Sequence, residues 1–101
     1  MNVVFAERAK SDIGEIYDSI VKHNPVAAQR VEDAIRANCL GLADFPYASA
    51  ATDEPNVRRL PLVRYPYTIF FRIDVDRQLV EIARVVHGAR IKNLSTLPDV
   101  E

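Results

Sequence analysis

The chain has 101 residues, of which 49% are hydrophobic and 27% are charged. A chain of this length predicts one compact domain over residues 1–101 and excludes a multidomain protein, and the ordinary globular composition excludes a disordered chain. The net charge of −1 is unevenly distributed, because residues 1–56 carry 5 basic and 9 acidic side chains (−4) and residues 57–101 carry 8 and 5 (+3). The basic second half fits either an anionic partner or a solvated basic surface.

The first half of the chain predicts a strand followed by two helices. Residues 2–5 are short, apolar and β-branched, which is typical of an opening strand. Between residues 7 and 22 the apolar side chains recur every three or four positions, so they share one helical face. Asn24 and Pro25 then fit the N-cap and the first position of a second helix, which is expected to run to about residue 43. The short break between the two predicts an antiparallel helix hairpin.

The second half predicts strands. Residues 47–56 show no usable period and indicate a connecting loop. Residues 57–62 indicate an edge strand or a bulge, because Pro61 has no N–H to donate to a sheet. Residues 67–73 are rich in aromatic and β-branched side chains and form the strongest strand pattern. After a turn with two aspartates, residues 79–86 indicate a returning strand and therefore a hairpin.

Alternation along the hairpin strands predicts which side chains share a face of the sheet. In the last strand the expected sets are Val80, Ile82, Arg84 and Val86 on one face and Leu79, Glu81, Ala83 and Val85 on the other. We therefore predict an α+β fold with an N-terminal strand and an antiparallel helix hairpin packed on one face of a small, mainly antiparallel sheet. The opposite face is expected to be open.

Several classes of protein are excluded by what the sequence lacks. No apolar run approaches the roughly 20 residues of a membrane span. The N-terminal residues lack the layout of a secretory signal, so we expect a cytoplasmic protein. Cys39 is the single cysteine and there are only two histidines, so we expect no disulfide and no metal site. The three glycines are scattered, and we expect no nucleotide or other cofactor.

The candidate chemistry lies at the end of the last strand, where His87 follows Arg84. The planar fork of arginine binds phosphate or carboxylate, and histidine exchanges protons near neutral pH. With Arg72 on the neighbouring strand, these residues could support metal-free RNA cleavage, which needs a base, an acid and cations around the phosphorane. The structural alternative, which the residues themselves favour, is that His87 attaches the tail to the sheet and that the arginines pair with carboxylates.

A second group of candidates is basic and lies near aromatic residues. Aromatic residues beside arginines stack on bases in single-stranded nucleic acid complexes, whereas arginines on a strand edge also block unwanted strand addition. Both interpretations remain open from the residues alone. The candidate target-binding residues are Arg58, Arg59, Arg64, Arg90 and Lys92.

Two segments carry a resemblance to a known family. Residues 59–73 read RLPLVRYPYTIFFRI and residues 80–90 read VEIARVVHGAR. In this order, after paired helices, they strongly resemble the RelE/ParE superfamily of bacterial toxins from type II toxin–antitoxin pairs. The resemblance covers nearly the whole chain and implies the fold of that superfamily.

The resemblance implies one of two activities. The superfamily contains ribosome-dependent messenger-RNA endonucleases and ParE-type poisons of DNA gyrase. The nuclease branch is markedly basic and has an arginine near the start of the strand at 67–73, where this chain has Tyr67 and Thr68. The run from His87 to Arg90 looks more like the ParE branch. We therefore expect a gyrase inhibitor, with a RelE-like endonuclease using Arg72, Arg84 and His87 as the alternative.

The resemblance also implies partners. A cognate antitoxin is expected to wrap the toxin and neutralise it in a hetero-oligomer, because disordered segments fold readily on exposed strand edges and grooves. The expected cellular target is DNA gyrase, or the ribosome and its messenger RNA in the alternative, and no membrane is involved.

Overall fold

The computed structural model describes residues 1–47 and 49–88. Its elements are, in chain order, β1 (Asn2–Phe5), α1 (Glu7–Val21), α2 (Pro25–Gly41), β2 (Ala50–Ala51), β3 (Val57–Pro61), β4 (Tyr67–Asp74) and β5 (Leu79–His87). The two helices pack on a mostly antiparallel five-stranded sheet, which confirms the predicted α+β class. Neither helix in the described ranges is long and apolar enough to cross a membrane.

The sheet has the order β1-β5-β4-β3-β2. The pairs β5–β4, β4–β3 and β3–β2 are antiparallel, and the first of them is the predicted hairpin, whereas β1 is parallel to β5. A parallel pair needs a crossover connection, and the helix hairpin begins that connection. Because β1 pairs only with the segment from Leu79 to Ile82, β5 extends past the end of β1. This overhang positions the candidate site.

The helices begin and end close to their predicted limits. The Asn24 side chain accepts a hydrogen bond from the Ala27 N–H at 3.0 Å, and Pro25 occupies the first turn of α2, so the predicted cap is confirmed. Helix α2 ends at Gly41, two positions before the predicted limit at residue 43, because the chain continues there as a turn.

The main core lies between the helices and the sheet. It combines the apolar faces of both helices with the helix-facing side chains of β4 and β5. Partly buried residues of β1 and β3 pack against it. The buried members of this helix-side core are Ala6, Ala9, Ile13, Val31, Ile35, Cys39, Leu42, Leu62, Ile69, Phe71, Val80, Ile82 and Val85.

A β-bulge interrupts the alternation predicted for β5. Phe71 faces Ile82 and Phe70 faces Arg84, so Ala83 is an extra residue on β5. Side chains alternate with a period of two, and one extra residue reverses the faces that follow it. Val85 consequently joins the helix-side core with Ile82. The prediction that Val80, Ile82, Arg84 and Val86 share one face is wrong.

The expectation of an open second face is also wrong at its centre. Val57, Phe70, Ala83 and Val86 form a second cluster, and each of them is at most 9% exposed. These apolar side chains on the second face of β3, β4 and β5 contact one another. The sheet therefore has apolar packing on both faces.

The predicted loop at residues 47–56 contains the short strand β2, which pairs with β3. Arg58 holds this segment, because its Nη2 donates to the Ser49 carbonyl at 2.6 Å and its Nε donates to Ser49 Oγ at 3.0 Å. The Arg58 guanidinium also lies 5.4 Å from the centre of the Tyr47 ring. Pro61 lies beyond the residues paired with β2, where its missing N–H costs no bond to that strand.

Candidate functional site

A groove of about 560 Å³ lies between α1 and the end of β5 that extends past β1. Helix α1 contributes residues spaced three and four positions apart, which places them on one helical face. The lining residues are Asp12, Glu15, Ile16 and Ser19 from α1, Tyr67 from β4, and Arg84, Val85, Val86 and His87 from β5. We refer to it as the α1–β5 groove.

Asp12 and Arg84 form an ion pair at the wall of this groove. Arg84 Nε donates to Asp12 Oδ2 at 2.8 Å, and Arg84 Nη2 donates to Asp12 Oδ1 at 3.2 Å. The Asp12 side chain is 4% exposed and that of Arg84 is 20% exposed. Two parallel N–H bonds to one carboxylate fix the guanidinium plane as well as its position.

Asp12 also satisfies the sheet edge that β1 leaves uncovered. The backbone N–H of Val85 donates to Asp12 Oδ2 at 2.9 Å. A buried N–H without an acceptor is costly, and here a helix carboxylate replaces a strand carbonyl. Arg8, one turn earlier on α1, donates to Asp12 Oδ1 at 3.4 Å. Asp12 therefore joins α1 to β5 at the wall of the groove.

His87 lies at the mouth of the groove and is exposed. Its ring stands edge-on to the Tyr67 ring, with the ring centres 5.6 Å apart and the planes at 89°. The next residue, Gly88, has a φ of 63°, a conformation that glycine adopts without strain, and its N–H donates to the Pro66 carbonyl at 2.6 Å. The end of β5 is thus attached to the connection between β3 and β4.

The structure brings together two of the three candidate catalytic residues. Arg84 and His87 line the same groove, whereas Arg72 lines a separate depression beside the β4–β5 turn. Arg72 is opposite Glu81, and Tyr67 is opposite His87, so Arg72 lies five positions along β4 from the His87 end. That separation corresponds to about 17 Å of strand.

The candidate target-binding residues are spread over the described surface. Arg58 is held by Ser49 beside β2, whereas the neighbouring Arg59 is exposed on β3. Arg64 is exposed in the connection between β3 and β4, at the same end of the sheet as His87. Arg90 and Lys92 lie outside the described residues.

Asp12 is the site residue that sequence reasoning missed. It lies three positions after Ala9 and four before Ile16, both of which belong to the apolar stripe of α1. This spacing places a carboxylate on the buried face, and a buried carboxylate needs a cationic or N–H partner. The spacing of Asp12 thus indicates a buried carboxylate, but it does not identify the partner, because Arg84 is 72 positions away in the sequence.

In residues 1–47 and 49–88, no three histidine, cysteine, aspartate or glutamate side chains form a cluster that could hold a metal ion. Cys39 is fully buried in α2, and burial raises the pKa of its thiol to about 12. This cysteine is therefore a core residue and a poor nucleophile.

The comparisons with known proteins agree with one another on the fold. The toxin RelE2 of Caulobacter vibrioides is 35% identical over 89 residues, which is 88% of this chain and 97% of that protein. A chain of the chromosomal ParDE TA system from P. aeruginosa matches with a TM-score of 0.76 and 25% identity, covering 87% of this chain and 96% of that one. The toxin–antitoxin complex RelBE2 from Mycobacterium tuberculosis matches in fold, with a TM-score of 0.63 and 24% identity, covering 87% and 91%.

These matches define the class as a RelE/ParE superfamily toxin, as the sequence resemblance indicates. A family profile described as the ParE toxin of type II toxin–antitoxin systems matches residues 3–92. The chain belongs to this family.

Proposed function

We propose that this protein is a ParE-like toxin that inhibits DNA gyrase and is neutralised by a cognate antitoxin. The observation that carries the proposal is the ion pair between Arg84 and Asp12, together with the distance of Arg72 from the α1–β5 groove. RNA cleavage needs its cations gathered around one phosphate. Here the positive charge of Arg84 is offset by the Asp12 carboxylate, and Arg72 lies towards the opposite end of β4.

The charge of the groove also favours a protein target over RNA. Two carboxylates, from Asp12 and Glu15, line the groove with Arg84 and His87. RNA is a polyanion, and proteins that bind it rely on a clear excess of lysine and arginine at the contact surface. A groove in which acidic and basic groups offset each other is a poor electrostatic match for RNA. It suits polar contacts with a folded protein.

The setting of His87 supports the same proposal. A histidine that acts as a general base is held in one tautomer by a carboxylate or carbonyl on its second nitrogen. The ring contact that His87 makes within the described residues is the edge of Tyr67. This contact packs the ring against β4 and supplies no carboxylate or carbonyl that would hold one tautomer, which favours a packing role for His87.

The alternative is a RelE-like, ribosome-dependent messenger-RNA endonuclease. Two observations favour it: Arg84 and His87 share one groove, and a 35% identical relative is named RelE2. The two functions separate in one experiment, in which the purified chain is assayed in parallel for inhibition of gyrase supercoiling and for cleavage of translated messenger RNA. The proposal expects inhibited supercoiling and intact messenger RNA, and weaker inhibition by Arg90→Ala.

Substitution of His87 tests the mechanism directly. A proton-transfer role contributes roughly 100-fold or more to a rate. We expect a folded His87→Gln variant to keep its inhibition of gyrase and to melt at a lower temperature. His23→Gln is the matched control, because His23 is exposed between the helices and outside the groove. The nuclease would be established instead if the parent chain cleaves messenger RNA, His87→Gln abolishes that cleavage, and gyrase supercoiling is unaffected.

We further propose that the antitoxin is the product of a neighbouring small reading frame and that both proteins act in the cytoplasm. The matched ParDE and RelBE2 structures are of toxin–antitoxin systems, which supports such a partner. Co-expression is expected to rescue growth and to yield a stable hetero-oligomer on a sizing column. A chain that is harmless when overproduced and binds no such product would remove the toxin proposal altogether.

A further inference from the structure

Arg84 is only partly used by its ion pair. A guanidinium carries five N–H donors. Asp12 accepts from Nε and Nη2 of Arg84, and within residues 1–47 and 49–88 the Nη1 group has no acceptor. The Arg84 side chain is partly exposed at the wall of the α1–β5 groove. Its remaining donors are therefore held in a fixed orientation at an accessible surface.

We propose that Asp12 is a positioning residue for toxicity, which orients Arg84 so that its remaining N–H groups bind an acceptor oxygen on the toxin's target. This inference rests on the proposed function. Asp12 is buried and does not itself meet the target. It acts through the guanidinium, because the paired N–H bonds remove the rotamer freedom that an arginine otherwise loses on binding.

The geometry distinguishes this role from a simple contact between helix and strand. Hydrogen bonding to Val85 alone would tie α1 to the sheet edge, and it uses only Oδ2 of Asp12. The second oxygen, Oδ1, lies 3.2 Å from Arg84 Nη2 and adds nothing to that edge. An aspartate that both supports the edge and aligns the guanidinium thus couples the fold of α1 to the presentation of Arg84.

The test is a double-mutant cycle that measures potency, with the folding of each variant checked by its melting temperature. Asp12→Asn keeps an oxygen that can accept from the Val85 N–H but loses the paired acceptor for Arg84. Arg84→Gln removes the guanidinium. The parent, both single variants and the Asp12→Asn/Arg84→Gln double variant are compared for gyrase inhibition and for growth arrest after induction. Asp18→Asn is the matched control, because Asp18 is an exposed carboxylate on the same helix and outside the groove.

We expect Arg84→Gln to lower potency about tenfold or more, and Asp12→Asn to lower it at least about fivefold, as the loss of a charge-assisted contact predicts. The double variant is expected to be no weaker than Arg84→Gln, because Asp12 acts through Arg84. A purely structural Asp12 would change the melting temperature while leaving the potency of the folded fraction intact.

Arg84→Lys keeps the test decisive where Asp12→Asn fails to fold. Lysine retains the charge next to Asp12 but cannot form the paired bonds, so potency is expected to fall in a folded protein. Parental potency in folded Asp12→Asn or Arg84→Lys overturns the inference, as does a double variant clearly weaker than Arg84→Gln. If the parent arrests growth without inhibiting gyrase, only the proposed target is overturned, and potency in the cycle is then measured as growth arrest. If the parent is harmless, both the proposed function and this inference are overturned.

Discussion

Phe71 and Phe70 are neighbours on β4 that belong to different cores, and this difference gives a quantitative test of the fold. Phe71 is fully buried in the helix-side core, which has thirteen buried members among the described residues, whereas Phe70 belongs to the second cluster, which has four. Truncation of either to alanine removes a large apolar side chain. The cost depends on how well the surroundings collapse into the space.

Phe71→Ala is expected to lower the free energy of unfolding by about 3–5 kcal/mol, because the two helices and the sheet hold the cavity open. Domains of this kind have a total stability of roughly 5–15 kcal/mol. The melting temperature should therefore fall by at least about 12 °C, since each kcal/mol corresponds to about 4–8 °C in a chain of this size. Phe70→Ala is expected to cost less, because its cluster has fewer members within the part of the chain that the structure describes.

Urea denaturation followed by circular dichroism measures both changes. Val63→Ala is the control, because Val63 is 102% exposed and its truncation should change stability by no more than about 0.5 kcal/mol. A loss below about 1 kcal/mol for Phe71→Ala, or a larger loss for Phe70→Ala than for Phe71→Ala, would refute the assignment of the main core to the helix side of the sheet.

Three further substitutions test local features. Asn24→Ala should cost about 1 kcal/mol in a thermal melt, because it removes the side-chain cap of α2, and an unchanged melt would contradict that role. Because burial raises the pKa of the Cys39 thiol from 9.0 to about 12, the folded chain keeps this proton at alkaline pH while the unfolded chain loses it. The contribution of the protonated thiol to the free energy of unfolding is therefore complete below pH 9.0 and is lost as the pH rises towards about 12. Over this range the free energy of unfolding falls by up to about 1.4 kcal/mol per pH unit. Cys39→Ala should therefore flatten the pH dependence of urea unfolding above pH 9.0. An equal slope in both proteins would contradict the burial argument. Arg58→Ala should speed amide hydrogen exchange around Ser49, where Arg59→Ala should not, and equal exchange in the two variants would contradict the role of Arg58 in holding β2.

The elements that could be predicted are those encoded by local patterns. Helix α1 follows from apolar residues on one face, α2 from the Asn24-Pro25 cap, and β4 from its aromatic and β-branched run. In each case the information lies within a few residues of the element. The superfamily fold was recognisable for the same reason, since its distinctive segments are continuous in the sequence.

The features that escaped prediction depend on pairing between distant segments. The two alanines of β2 have no strand preference of their own and become a strand only because β3 is beside them. The bulge at Ala83 exists only relative to β4, so the pattern of β5 alone gives the wrong faces. The parallel contact between β1 and β5 joins the two ends of the described chain.

The candidate site divides in the same way. Arg84 and His87 are close in sequence and were predicted as a pair, and the structure places them on one groove. Arg72 was grouped with them because it lies on the neighbouring strand, but position along that strand separates it. Asp12 joins the site from another element, and only the packing of α1 against β5 shows this contact.

The most direct test of the proposed function is the supercoiling of relaxed plasmid by purified DNA gyrase with increasing amounts of the folded toxin and no ribosomes present. The account predicts a dose-dependent loss of supercoiling that the cognate antitoxin reverses, with messenger RNA left intact in a parallel translation reaction. Full supercoiling at saturating toxin, together with messenger-RNA cleavage on translating ribosomes, would contradict it.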